Sequence, residues 1–385
     1  MEHSMNKEIT VFTEGDATLA STWSNIPYFL TATLEEKGYT VHRINISDTG
    51  FLQRFYDKFL CRILRHTFFP HTTFRYSRSI FFTRKIQKQL KEALAKYPQS
   101  DYYLSTSFSF SPKNYTDKPC ILFCDWSYEY LITHFNQRQP DCLEKAAVRR
   151  QDALIRKADY VFALFPDVAQ HMQAYYKNTN IAYLGNVINS ELTKEKPDFA
   201  RKLAGQKILF IGLKKYREGV EALIQSAKLL HPVYPALELN IVGMTASDCS
   251  DTSDVASYIH FHGYLSKDQP DEKALYDALL QDSLVYVNTT PVWAGFSSAL
   301  ESLYHYLPVI TSPYQSFTDT FSDTIDFGYY CKENSPAQIS KLLQHVLQLS
   351  PDDYETLCQN AHAATLDYTW SSYVDKMMQV IQENC

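Results

Sequence analysis

Short β-rich runs alternate with helical patterns over nearly the whole 385-residue chain, which predicts an α/β fold of doubly wound parallel sheets covered by helices on both faces. The runs are continuously apolar, as in Ile208-Leu209-Phe210-Ile211, as strands buried on both sides require. Composition agrees: 45% apolar and 21% charged residues describe a folded chain and exclude a disordered one, and the length suits two or three domains.

In chain order, strands are expected at 9–13, 41–45, 102–105, 120–123, 160–164 and 181–184, with helices at 27–37, 83–96 and 143–157 between them. A charged, less patterned stretch, 189–206, reads as a linker. The buried run from Lys207 opens a second set, with strands at 208–211, 237–242, 258–262, 284–288 and 309–311 and helices at 218–230, 273–280 and 297–306. Three helices close the chain, near 337–349, 352–365 and 370–382. The expected domains are 1–188 and 207–368, with 369–385 packing back on the first.

No apolar run approaches the roughly 18–20 residues that span a bilayer, and residues 1–8 are polar rather than signal-like, so a cytoplasmic protein is expected. Eight cysteines without a CxxC pair read as reduced structural thiols. The net charge of −6 argues against general nucleic-acid binding. It is unevenly placed, because residues 51–91 carry ten Lys and Arg against the single acid Asp57. Aromatics such as Phe51, Phe55, Phe59 and Phe68 interleave with those bases, a composition suited to docking on an anionic membrane surface as a peripheral protein. The alternative is that the rings pack inward and the bases only face water.

What is missing narrows the chemistry. The eleven glycines never fall two or four apart, which excludes GxGxxG and GxSxG, and no GK[ST] supplies a P-loop. Without HExxH or a DxD pair, no carboxylate site for a divalent metal is visible, so no metal and no cofactor are expected. His260 and His262 alternate with Phe261 and read as a strand face rather than metal ligands.

Three segments of the second half fall at strand ends, where backbone N–H groups and helix N-termini meet anionic phosphates. The first, from Gly212 through Lys214, Lys215 and Arg217 to Gly219, is a basic turn able to neutralise a diphosphate. The second, Trp293-Ala294-Gly295-Phe296-Ser297-Ser298, enters a helix with Ser297 or Ser298 as N-cap, and Glu301 lies one turn in, where a carboxylate reaches ribose hydroxyls. The third, Gly263-Tyr264, offers backbone groups and an aromatic to a nucleobase. In the first half, Gly15 follows the first strand and permits close approach of acceptor and donor phosphate to the backbone. Asp125 and Trp126 end a strand; Asp125 is a candidate for acceptor orientation or proton transfer and equally a helix N-cap.

The order Phe210-Ile211-Gly212, Arg217-Glu218-Gly219, Val242-Gly243, Phe261-His262-Gly263-Tyr264, Gly295-Phe296, Leu300-Glu301 and Pro308-Val309-Ile310 resembles the retaining glycosyltransferases of family GT4. Ser21-Thr22-Trp23-Ser24, Asp125-Trp126-Ser127 and the closing Tyr368-Thr369-Trp370 look like a subset of that family. The resemblance implies a GT-B architecture, two Rossmann-like domains facing across a cleft. It also implies a nucleotide-sugar donor, UDP- or GDP-linked, and transfer with retention to a glycan, lipid-linked or envelope-polysaccharide acceptor. Leaving-group stabilisation falls to Lys214, Lys215, Arg217 and the helix start near Ser297. Glu301 takes the ribose, Asp125 and Glu301 are the catalytic candidates, and Trp23, Ser24 and Trp126 line the acceptor side.

Two positions depart from the family. Glu218 stands where it has Lys, and Trp293, or Ala294, stands where it has the first Glu of an E-x7-E pair ending at Glu301. The departures leave open a catalytically weak binding module or a sugar-nucleotide epimerase of the same fold.

Overall fold

All strand pairs described are parallel, and they form two six-stranded sheets in two units. This computed structural model describes residues 7–46, 50–191, 196–250, 252 and 255–383. The first unit comprises Met1–Asn186 with Tyr373–Cys385, and the second Val187–Ser372.

In the first unit the strands are β1 (Glu8–Thr13), β2 (Thr40–Asn45), β3 (Tyr102–Ser105), β4 (Cys120–Cys124), β5 (Tyr160–Ala163) and β6 (Ile181–Tyr183), ordered β2-β1-β3-β4-β5-β6. Its helices are α1 (Ile26–Glu36), α2 (Phe51–Phe55), α3 (Cys61–Thr67), α4 (Ile80–Lys96), α5 (Tyr128–Tyr130), α6 (Cys142–Lys157) and α7 (Pro166–Tyr176). A π-helical turn, Tyr56–Leu60, makes α2 and α3 one continuous helical run. Local chemistry sets the helix starts. Ser79 Oγ accepts from the Phe82 amide at 3.2 Å to cap α4, which buries Phe82, Ile86, Leu90 and Ala93 along one stripe. Asp141 and Glu144 form a reciprocal capping box on α6. The last helix of the chain returns here, with the Tyr373 ring 5.6 Å from that of Phe123 and the Tyr160 hydroxyl donating to the Ile381 carbonyl at 3.1 Å.

The second unit holds β7 (Lys207–Ile211), β8 (Glu238–Val242), β9 (Ile259–Gly263), β10 (Val285–Asn288), β11 (Val309–Thr311) and β12 (Gly328–Tyr330), ordered β12-β11-β10-β7-β8-β9. Its helices are α8 (Phe199–Gly205), α9 (Arg217–Leu230), α10 (Pro270–Asp282), α11 (Phe296–Tyr304), α12 (Gln315–Phe321), α13 (Pro336–Leu347), α14 (Pro351–Ala363) and the start of α15 (Trp370–Glu383). Strand order reverses between β7 and β10, which opens a ligand crevice beyond their carboxyl ends. Val220, Leu223, Ile224 and Ala227 of α9 pack with Ile208, Phe210 and Val285 of the sheet in one core.

The stretch 189–206, expected as a linker, instead contributes α8 to the second unit; its residues 192–195 lie outside those described. Asp198 caps α8 by accepting from the Arg201 amide at 3.0 Å, and Phe199 packs on Tyr306 with ring centroids 5.8 Å apart. The buried Lys202 ammonium donates to the His305 and Tyr306 carbonyls at 3.4 and 3.3 Å. Lysine and arginine made this stretch read as solvated; Lys202 instead satisfies a helix C-terminus, while Arg201 pairs with Asp282 at 3.3 Å. The other elements missed were β12, only three residues long, the helices α5, α7 and α12, and the helical run 51–67, whose outer face is too apolar for an ordinary surface helix.

Candidate nucleotide-sugar site

In the second unit, the segments after β7 and β10 flank the reversal of strand order. Gly219 lets them meet: a Cβ there would lie 2.5 Å from Thr290 Oγ1 and 3.0 Å from the Thr290 amide nitrogen, so only a bare Cα seats the first turn of α9 on the exit of β10. Ser312 Oγ donates to the Thr290 carbonyl at 2.7 Å and fixes the same corner from β11.

Helix α11 starts one residue earlier than its serines suggested. Gly295, at φ +69°, is the N-cap, and neither Ser297 nor Ser298 has that role. A left-handed cap suits glycine, whereas Ser298 already lies inside the helix; its hydroxyl donates back to the Gly295 carbonyl at 2.8 Å and meets the Tyr286 hydroxyl at 2.8 Å. The Gly295 cap makes no side-chain hydrogen bond to the first turn, whose backbone N–H groups give the helix start its partial positive charge.

One turn along, Glu301 is buried, with both carboxylate oxygens engaged. Tyr276 of α10 donates its hydroxyl to Oε2 at 2.7 Å, and the Lys267 ammonium donates to Oε1. Lys267 also donates to the Asn189 carbonyl at 2.9 Å and lies 4.5 Å from the Tyr276 ring centroid. Burial and the adjacent Glu301 carboxylate push the Tyr276 phenol well above its ordinary value. Lys267 was missed by sequence reasoning, although it lies only three residues beyond the Gly263-Tyr264 segment in the same loop. Tyr264 itself is exposed, and Gly263, at φ +65°, accepts from the Gly243 amide at 2.6 Å.

The basic turn is less available than its composition implies. Lys214 pairs with Asp248 at 3.2 Å, while Arg217 donates to Glu221 and Ser250, both at 2.8 Å. Lys215 lies 4.9 Å from the Tyr216 ring centroid. Gly212 is held by a bond from its amide to the Val242 carbonyl at 2.9 Å. Trp293 packs on Tyr314 with ring centroids 5.5 Å apart, and Ala294 is fully buried, so neither restores the absent carboxylate. His262 pairs with Asn240 Oδ1 at 2.9 Å; burial first, then His260, lowers its affinity for a proton.

In the first unit, Gly15 at φ +112° donates to Asn45 Oδ1 at 3.2 Å, and the space a Cβ would take there is filled by Thr22, 2.8 Å away. Trp23, Ser24 and Asn25 are three successive left-handed residues, with the Trp23 ring edge-on to Phe123 at 6.0 Å. Asp125 Oδ1 accepts from the Trp126 amide at 2.9 Å and the Cys124 thiol at 3.1 Å. The N-cap of α5 is Ser127 rather than Asp125, since its Oγ accepts from the Tyr130 amide at 3.1 Å. Trp126 is packed between Phe135 and Phe165, at 4.9 and 6.0 Å.

Two doubly wound parallel sheets on one chain, with an uncapped helix start beside the reversal of the second, place the protein in the GT-B class of α/β folds. Sucrose-phosphate synthase of Thermosynechococcus elongatus superposes with a TM-score of 0.71 at 14% identity, over 98% of this chain and 99% of that one. An Anabaena protein crystallised with UDP and glucose gives 0.63 at 10% identity, over 98% and 100%. A Listeria monocytogenes structure described as a putative UDP-N-acetylglucosamine 2-epimerase gives 0.59 at 11%, over 98% and 96%. At these identities the likeness is one of fold. No curated protein matches the chain. Residues 193–363 match the family described as Glycosyl transferases group 1. That match takes in most of the second unit, which carries a domain of that family.

Proposed function

We propose that the protein transfers a sugar from a UDP- or GDP-linked donor to a glycan or lipid-linked envelope acceptor, without metal and with retention of anomeric configuration. The observation that carries this reading is the uncapped first turn of α11, one helical turn from the Lys267–Glu301–Tyr276 cluster. The positive end of a helix and the Lys267 ammonium suit a diphosphate, and Glu301 suits a ribose edge. In the reaction, the acceptor oxygen bonds to the anomeric carbon as the carbon–phosphate oxygen bond breaks. The departing diphosphate oxygen takes the electron pair and then the proton that the acceptor hydroxyl loses, and α11 with Lys267 lowers the energy of the developing charge. Asp125 is the group we assign to acceptor orientation. The Anabaena neighbour, crystallised with UDP and glucose, supports the donor class, and the basic aromatic stretch 51–91 supports an acceptor presented at an anionic membrane.

A thermal-shift screen across UDP, GDP, ADP, CMP and their sugars tests the donor, followed by product analysis with candidate acceptors. Stabilisation by one nucleoside diphosphate and its sugar, with glycoside formed only when acceptor is present, is the expected result. The likeness to the Listeria protein favours one rival, epimerisation, and an altered nucleotide sugar formed without acceptor would establish it instead.

A further inference from the structure

Residues 51–67 form one helical run on the first unit, and its outer face is apolar where a surface helix is normally polar. Phe51, Phe55, Phe59 and Ile63 are 83%, 50%, 59% and 55% exposed, followed by Phe68 at 71%. The first four recur every four residues, and the three rings at 51, 55 and 59 follow one another along the helix with centroids 6.3 and 5.3 Å apart. In an α-helix a four-residue step drifts by about 40° per repeat, and the π turn at Tyr56–Leu60, winding less per residue, offsets part of that drift. The result is a straight apolar ridge.

Each member after the first is preceded by a base: Arg54 before Phe55, Lys58 before Phe59, Arg62 before Ile63. A basic line therefore runs beside the ridge, about 100° around the helix. Lys58, Arg62, Arg65 and His66 line a groove there with Phe59 and Pro70, and Arg65 Nε is buried in it without a hydrogen-bond partner. The lone acid, Asp57, also borders the groove, with one carboxylate oxygen accepting from the Tyr76 amide at 2.8 Å, so four basic side chains face a single carboxylate there. Tyr56, against Phe74 and Tyr76, and the buried Cys61 hold the opposite face to the unit.

A soluble surface seldom leaves such an apolar row open. A ridge of rings flanked by cations matches the boundary between acyl chains and phosphate headgroups. We propose that this run docks the first unit on an anionic lipid bilayer, with Phe51, Phe55, Phe59 and Ile63 among the acyl chains and Lys58, Arg62 and Arg65 on headgroup phosphates. The inference sharpens the membrane-presented acceptor of the proposed function but needs no donor chemistry, so the two fail separately.

The full chain is sedimented with vesicles of phosphatidylcholine alone and of phosphatidylcholine mixed with phosphatidylglycerol. Two variants are run beside it, Phe51→Ser/Phe55→Ser/Phe59→Ser and Lys58→Glu/Arg62→Glu, with thermal melting as the control for folding. Because these side chains face outward, melting stays unchanged. Binding to the anionic vesicles exceeds that to neutral ones by about tenfold or more, and each variant loses about tenfold. A Phe59→Trp reporter shifts its emission to the blue on anionic vesicles only. Equal partition into both vesicle types, or wild-type binding by the triple serine variant, overturns the proposal. So does a concentration-dependent dimer that the triple variant abolishes without any vesicle binding, which assigns the ridge to a second copy of the chain.

Discussion

The Tyr276 hydroxyl donates to Glu301 Oε2 at 2.7 Å, and with Lys267 on the other oxygen it makes Glu301 both a candidate ribose ligand and a structural anchor. The two roles separate by variant. Glu301→Ala strands a mostly buried ammonium, so it lowers unfolding stability by about 3–5 kcal/mol, and activity lost in that variant says little about ribose. Tyr276→Phe leaves one carboxylate oxygen short of a donor, at about 1–3 kcal/mol, with the negative charge kept. Denaturant melts beside nucleotide titrations check this. A Tyr276→Phe enzyme that binds nucleotide normally, although less stable, assigns the tyrosine to the anchor alone.

The cations that sequence composition favoured are tied to local acids. Lys214→Ala and Arg217→Ala remove exposed pairs with Asp248 and Glu221, and each changes nucleoside-diphosphate affinity by less than about threefold. Lys267→Met/Glu301→Gln, which removes both buried charges together, weakens it by about tenfold or more. Isothermal titration with the nucleotide that stabilises the protein most distinguishes them. A tenfold loss in Arg217→Ala would return the phosphate site to the basic turn.

Gly219 sets two opposed effects against each other. Alanine in place of a helical glycine ordinarily gains up to about 1 kcal/mol. Here the added methyl would lie 2.5 Å from Thr290 Oγ1 and 3.0 Å from the Thr290 backbone nitrogen, and backbone cannot step aside. Overpacking of this kind costs about 1–3 kcal/mol, so Gly219→Ala destabilises on balance and moves α9 off the β10 exit. Thermal melting gives the sign directly: a raised melting temperature would show that the corner is looser than this geometry.

The fold was legible because parallel strands buried on both faces advertise themselves as apolar runs, and eleven of the twelve strands were placed within about two residues. The candidate site was half legible. Loops after β7, β9 and β10 follow from strand positions, and Glu301 follows from its helix. What the sequence hid is pairing. Nothing in Lys214 or Arg217 announces Asp248 or Ser250 from the next loop, and nothing in Lys267 announces Glu301, 34 residues away. The same holds for Lys202, charged in composition yet buried against two carbonyls.

Glu144 gives the first unit a pH signature. Burial raises its carboxyl, but two N–H bonds from Arg138, each 2.7 Å, and the Thr73 and Asp141 amides at 2.7 and 3.0 Å outweigh that, lowering it from 4.5 to about 2. A carboxyl depressed on folding contributes stability that is present above its unfolded value of 4.5 and disappears as pH falls towards about 2. Glu144→Gln removes this titration and also leaves Arg138 without its counter-charge. The free-energy difference between wild type and Glu144→Gln is therefore largest at neutral pH and shrinks as pH falls through 4.5 towards 2. Other acids held low, such as Asp248 and Glu35, are common to both proteins and cancel in that difference. Urea melts of both proteins across that window check it, and a difference independent of pH would show that Glu144 is not held ionised by Arg138.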